Sequence, residues 1–249
     1  MDQLTIVLIA AAAFLTSGMV KGVTGIGLPT AAIALMTVFL EPRTAIALVL
    51  FPMLGSNLWQ MARAGHFKRT VRRYRLFAVI LFLGVGATVF GTQNASDRTL
   101  LAVLGIIVLV FVLISWKGLL PTIPERLDTA AQVGFALLSG IIGGMTAAWG
   151  PPMAMYLATK RVDKDEFIRA TGFLISVGSI PLAMAYAQIG FLTGQLAGIG
   201  FAMLVPTLIG FSVGEFFRQR MSVETFRNAV LIVFVVLGAN MIRRAIWYQ

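Results

Sequence analysis

Between residues 21 and 30 the chain reads KGVTGIGLPT. Lys21, Thr24, Pro29 and the glycines Gly22, Gly25 and Gly27 stand there together, with mostly apolar residues on both sides. Glycine permits positive φ and close backbone approach. Proline suits the first turn of a helix, where its missing N–H is not needed. The pattern predicts a helix that breaks here and a second helix that starts near Pro29. The free N–H groups and positive dipole end of that second helix would point into the break, which is chemistry for an anion. Thr24 adds a hydroxyl donor and Lys21 a full charge.

A second stretch, GGMTAAWGPP at 143–152, repeats the design with Gly144, Thr146, Gly150 and Pro151, and it carries Trp149 instead of a lysine. In hydrocarbon each unpaired backbone group costs several kcal/mol, so a break persists only where protein, water or substrate satisfies it. Ser56, Asn57 and Ser179 are modest polar residues inside apolar stretches and are expected to complete a substrate site with the two breaks. Each of these residues also has a structural reading. Glycines serve helix packing, Trp149 would anchor at an interface, Lys21 would end a helix, and the serines would bond between helices.

The elements that must position these residues follow from composition. Hydrophobic residues make up 58% of the 249 and charged residues 12%, against about a quarter charged in soluble domains; mean hydropathy is +0.89. Apolar runs fall at 4–20, 28–40, 44–62, 76–91, 99–117, 128–145, 151–159, 167–187, 195–213 and 226–242, most of them near the length that crosses a bilayer. The fold class is therefore an all-α polytopic membrane protein. The runs 28–40 and 151–159 are short and read as return arms of helical hairpins that do not fully cross.

The chain has no cysteine and one histidine, His66, which excludes sites built on several Cys or His. No catalytic residue, metal or cofactor is expected, and no nucleotide-binding loop is present. The ten acidic residues lie in loops or at the ends of apolar runs, and none occupies the middle of one. Cation carriers and proton relays need buried carboxylates, so the substrate is expected to be anionic or neutral. Any proton coupling would run through the substrate, Lys21 or a chain of waters. The net charge of +10 is read as loop charge that orients the protein, not as a nucleic-acid footprint.

The loop 63–75 carries Arg63, Lys68, Arg69, Arg72, Arg73 and Arg75 without an acid, and is expected on the cytoplasmic side, next to anionic lipid. The segment 215–227 follows on the same side, and both termini then fall outside, with Arg243 and Arg244 against the trend. The stretch 17–29 aligns without a gap on 139–151, with Ser17/Ser139, Gly18/Gly140, Gly22/Gly144, Thr24/Thr146 and Pro29/Pro151 identical. The chain thus reads as two repeats, 1–120 and 128–249, joined by a cytoplasmic linker at 121–127. Each is a broken hairpin plus three spans, and loop charge predicts that the second is inverted relative to the first. Inverted repeats with interrupted helices belong to secondary transporters.

The two Gly-rich breaks, each some fifteen residues into its half and closed by proline, resemble the TauE/SafE sulfite-exporter family of bacterial membrane permeases. The likeness covers nearly the whole chain, although members usually carry a denser glycine run than GVTGIGLP. It implies transport of sulfite, sulfonate or a related sulfur-containing anion across a bacterial inner membrane. By matching position it implies a site at Gly22, Thr24, Gly25, Gly27 and Pro29 with Gly144, Thr146, Trp149, Gly150 and Pro151. Competing readings are a carrier for a small carboxylate or other oxyanion and a non-transporting membrane scaffold. An intramembrane enzyme would need a nucleophile with its base, or paired carboxylates, and the spans hold neither. The identity of the anion and the oligomeric state are not written in the sequence.

Overall fold

The computed structural model describes residues 3–64, 67–117, 123–220 and 223–247; His66 and residues 121–122 of the expected linker lie outside them. Among the described residues the chain is helical and contains no strand. The order is α1 (Gln3–Thr24), α2 (Leu28–Met36), α3 (Pro42–Ala64), α4 (Phe67–Gly91) and α5 (Asp97–Lys117). A short 3-10 turn leads into α6 (Asp128–Thr146), followed by α7 (Gly150–Thr159) and α8 (Lys164–Gln188). The chain ends with α9 (Gly194–Ala202), α10 (Leu204–Arg220) and α11 (Val223–Trp247). Seven helical stretches among the described residues are long and apolar enough to cross a membrane, α9 and α10 counting as one.

Three boundaries differ from the sequence reading. The basic segment 63–75 is not an open loop: α4 starts at Phe67, and its backbone kinks at Tyr74 (φ −107°, ψ 15°). Lys68, Arg69, Arg72 and Arg75 are exposed along its first turns, whereas Arg73 pairs with Glu166 at 2.6 Å. Straight-chain cations are good helix formers, so charge alone did not mark a loop. The run 195–213 is divided at Met203 into α9 and α10. The segment 215–227 is also largely helical, with α10 reaching Arg220 and α11 starting at Val223.

Small residues set the closest packing. Gly18 and Gly22 of α1 face Gly210 and Gly214 of α10, and a Cβ on Gly22 would lie 2.9 Å from Glu215 N and 3.0 Å from Gly214 Cα. Gly140 and Gly144 of α6 meet Gly84 and Thr88 of α4 in the same way, a Cβ on Gly144 falling 2.5 Å from Thr88 Cβ. Both crossings use small residues four apart, which lets helix backbones touch where lipid supplies no hydrophobic drive. The other principal packings are α3 on α8, α4 on α8, α3 on α9 and α5 on α11. At α8 the Asp163 carboxylate accepts the Glu166 N–H at 2.8 Å, and this bond holds its pKa below the usual carboxylate range.

One end of the bundle is rich in cations. The end of α3 meets the end of α10 there through Arg63 and Glu215 (3.2 Å), and the start of α4 meets the start of α8 through Arg73, Tyr74 and Glu166. At the other end Arg43, at the start of α3, bonds the carbonyl of Ala95, lies 3.9 Å from Asp97 and stacks over Phe191 (4.3 Å).

Candidate functional site

Both breaks are real interruptions. α1 stops at Thr24 and α2 restarts at Leu28, with Gly25 at φ 80° and Gly27 at φ 91°. Those left-handed values are the ones that require glycine. α6 stops at Thr146 and α7 restarts at Gly150. Here the left-handed residue is Ala147, at φ 56°.

Thr24 and Thr146 do the same local job in the two breaks. Thr24 Oγ1 lies 2.9 Å from Val20 O and 2.7 Å from Ile26 O, and accepts Ile26 N–H at 3.3 Å. Thr146 Oγ1 donates to Ile142 O at 2.7 Å and accepts Ala148 N–H at 3.3 Å. Each hydroxyl replaces a helical backbone bond at the interruption, so its capacity is already engaged by the chain.

The tips meet at one cavity of ≈ 190 Å³. Thr24, Gly27 and Thr30 border it from the first break, and Gly150 and Pro151 from the second. Phe111 and Ser115 of α5 and Leu231 and Phe234 of α11 close it from the side, and Val20 and Ile26 complete the wall. Thr30, 2% exposed, has no hydrogen-bond partner for its Oγ1. It occupies the first turn of α2, where backbone N–H groups have no partner four residues back. The start of α7 is poorer in donors, because Pro151 and Pro152 have no N–H and Met153 N–H is bonded to Trp149 O.

The other expected site residues are dispersed. Lys21 is not a surface helix end: it is 1% exposed, inside α1, with its Nζ 3.0 Å from Ser56 Oγ. It borders a second cavity of ≈ 340 Å³ together with Gly22, Gly25, Gln60, Arg63, Asp165 and Glu215. Gly144 borders a third recess of only ≈ 10 Å³ at the opposite end, beside Arg43, Thr92 and Tyr186. Gly22 and Gly144 are packing positions of the α1–α10 and α4–α6 crossings. Pro29 is buried in the first turn of α2.

Trp149 is fully buried and borders none of these cavities. Its indole fills the space left by two glycines, since a Cβ on Gly143 would lie 3.0 Å from Trp149 Cβ and one on Gly178 3.1 Å from Trp149 Cε2. It is a core residue that closes the second hairpin against α6 and α8, not an interfacial anchor. Ser179 donates back to Ile175 O at 2.7 Å, and Asn57 Nδ2 to Met53 O at 2.6 Å, leaving Asn57 Oδ1 buried without a partner.

The sequence reading missed Thr30, Phe111, Ser115, Leu231 and Phe234. Thr30 carried a local signal, as the residue after the proline that starts α2. The other four are brought in by α5 and α11, and nothing in their local sequence marks them.

A bundle of helices long and apolar enough to cross a membrane, with two broken hairpins whose tips border one internal cavity, is the architecture of a multi-pass membrane protein. The sequence model of the family described as Sulfite exporter TauE/SafE matches residues 9–241, and the chain belongs to that family. Membership makes it one of a family of membrane transporters. No curated protein and no solved structure matches it.

Proposed function

We propose that this protein is a secondary transporter that moves a small sulfur-containing anion across the bacterial inner membrane by alternating access, with the substrate held between the two breaks. The observation that carries the reading is the ≈ 190 Å³ cavity bordered at once by Gly27 and Thr30 and by Gly150 and Pro151. In this reading the first turn of α2 donates to the anion through the Leu28 and Thr30 N–H groups and the Thr30 hydroxyl. The apolar side of the cavity, formed by Val20, Ile26, Phe111, Leu231 and Phe234, favours an anion with a hydrocarbon part, a short alkyl sulfonate over bare sulfite.

Alternating access calls for two halves, and we read them as 1–120 and 128–249, inverted relative to each other. Reciprocal packing supports this: α1 lies on α10 as α6 lies on α4, and α4 lies on α8 as α9 lies on α3. The exposed cations of α4 suit the cytoplasmic leaflet and its anionic lipid. Among the described residues the carboxylates of the candidate spans lie at their ends, so a coupled proton would travel on the substrate, on Lys21 or along a chain of waters.

The test is flux from proteoliposomes containing the purified chain. Methanesulfonate, ethanesulfonate and sulfite should move, and Thr30→Val should lower the rate at least tenfold with the melting temperature preserved. Equal rates for Thr30→Val and the wild type would remove the break cavity from the pathway.

A further inference from the structure

We infer that the chamber bordered by Lys21 is a second anion site, in which a small oxyanion rests against the Lys21 ammonium on the basic side of the first break. This deepens the transport reading and rests on it. The break cavity does not require a second station, so the two claims can fail separately.

Lys21 carries the argument. It is 1% exposed, and among the described residues its one hydrogen bond is to Ser56 Oγ. An ammonium has three donors. The ion pairs among the described residues join Arg43 to Asp97, Arg63 to Glu215, Arg73 to Glu166 and Lys160 to Asp128; none involves Lys21. The C-terminal dipole of α1 offsets about half a charge at most. A buried lysine so poorly matched stays charged only where a mobile anion completes it.

The surroundings fit that guest. The chamber, ≈ 340 Å³, holds a sulfite-sized ion and several waters, each water taking roughly 30 Å³. Ser56, Gln60 and Arg63 are four and three residues apart on α3, so they share one face. They make a polar track from Lys21 towards the helix end. Gln60 Nε2 donates to Ile168 O at 2.8 Å, and its buried Oε1, an acceptor without a partner, can take a hydrogen bond from a chamber water or from the O–H of a protonated oxyanion. Arg63 is matched by Glu215, and Asp165 also borders the chamber; neither carboxylate is within ion-pair distance of Lys21. Only the tip separates the two spaces: Gly25 borders the chamber, while Thr24 and Gly27 border the break cavity.

The experiment is equilibrium binding of radiolabelled sulfite to the purified full chain, paired with proteoliposome flux. The wild type should bind in two components. Lys21→Met should weaken one of them at least tenfold, Lys21→Arg should restore it, and Thr30→Val should remove only the other. Gln60→Glu places an anion on the same track and should also weaken the Lys21 component at least tenfold; it carries the test if Lys21→Met does not fold. Sulfite binding unchanged in Lys21→Met and Gln60→Glu, or chloride displacing sulfite equally well from the Lys21 component, overturns the site. Wild-type flux without Lys21-dependent binding would sink this site and leave the transport reading standing. Lys21-dependent binding without flux would do the reverse.

Discussion

The two breaks share a plan and differ in chemistry. Each has a threonine that takes over a helical backbone bond, a left-handed residue and a proline-led second helix. The first is built on Gly25 and Gly27, presents the first turn of α2 with Thr30 unpaired, and has Lys21 one turn behind it. The second is built on Ala147, gives up two donors to Pro151 and Pro152, and packs Trp149 into its core. Of two aligned motifs, one leaves donors beside a cavity and the other is packed shut around an indole. The aligned position of Lys21 in the second break is Gly143, the very residue whose missing side chain makes room for Trp149.

The same asymmetry reaches the ends of the bundle. Gly22 opens onto a chamber of ≈ 340 Å³, whereas its aligned partner Gly144 opens onto a recess of ≈ 10 Å³. Arg43, drawn in by Asp97, Ala95 and Phe191, lies across that recess. The chamber beside Lys21 is therefore far roomier than the recess that Arg43 lines.

The sharpest way to break the comparison is at Trp149. If the second break is a packed plug, Trp149→Ala should cost about 3–5 kcal/mol, seen as a large drop in the detergent melting temperature, while Trp149→Phe keeps most of the stability. Gly22→Ala should come next, at about 3 kcal/mol by overpacking, because backbone atoms of α10 occupy the space and cannot rotate away. Thr30→Val should cost a tenfold fall in flux, about 1.4 kcal/mol in the barrier, with stability unchanged or raised because a buried hydroxyl without a partner is removed. Arg43→Ala should widen the recess that Arg43 and Val89 line, and a single cysteine at Val89 in this cysteine-free chain should then label several-fold faster with maleimide. The smallest effect is Ala147→Gly, which should raise stability by about 1 kcal/mol by relieving the left-handed backbone, with flux unaltered.

The sequence by itself determined the membrane class, the position of both interruptions and the glycines that shape the first, but not the left-handed Ala147 of the second. Composition, run length and backbone chemistry are local properties, and they are the ones that decide where a helix can exist in hydrocarbon. Local reading also overreached. It grouped Lys21, Ser56, Trp149 and Thr146 into one place because they were polar or unusual, whereas Trp149 and Thr146 pack and bond within the second break and Lys21 and Ser56 meet each other beside the first. It opened the segment 63–75 into a loop, though arginines and lysines extend α4 readily. Only the tertiary structure decided which residues face a common space. α5 and α11 supply Phe111, Ser115, Leu231 and Phe234, and the α1–α10 crossing turns Lys21 away from Thr30. Helices carry side chains on every face, and which face becomes an interior wall depends on what packs against the rest.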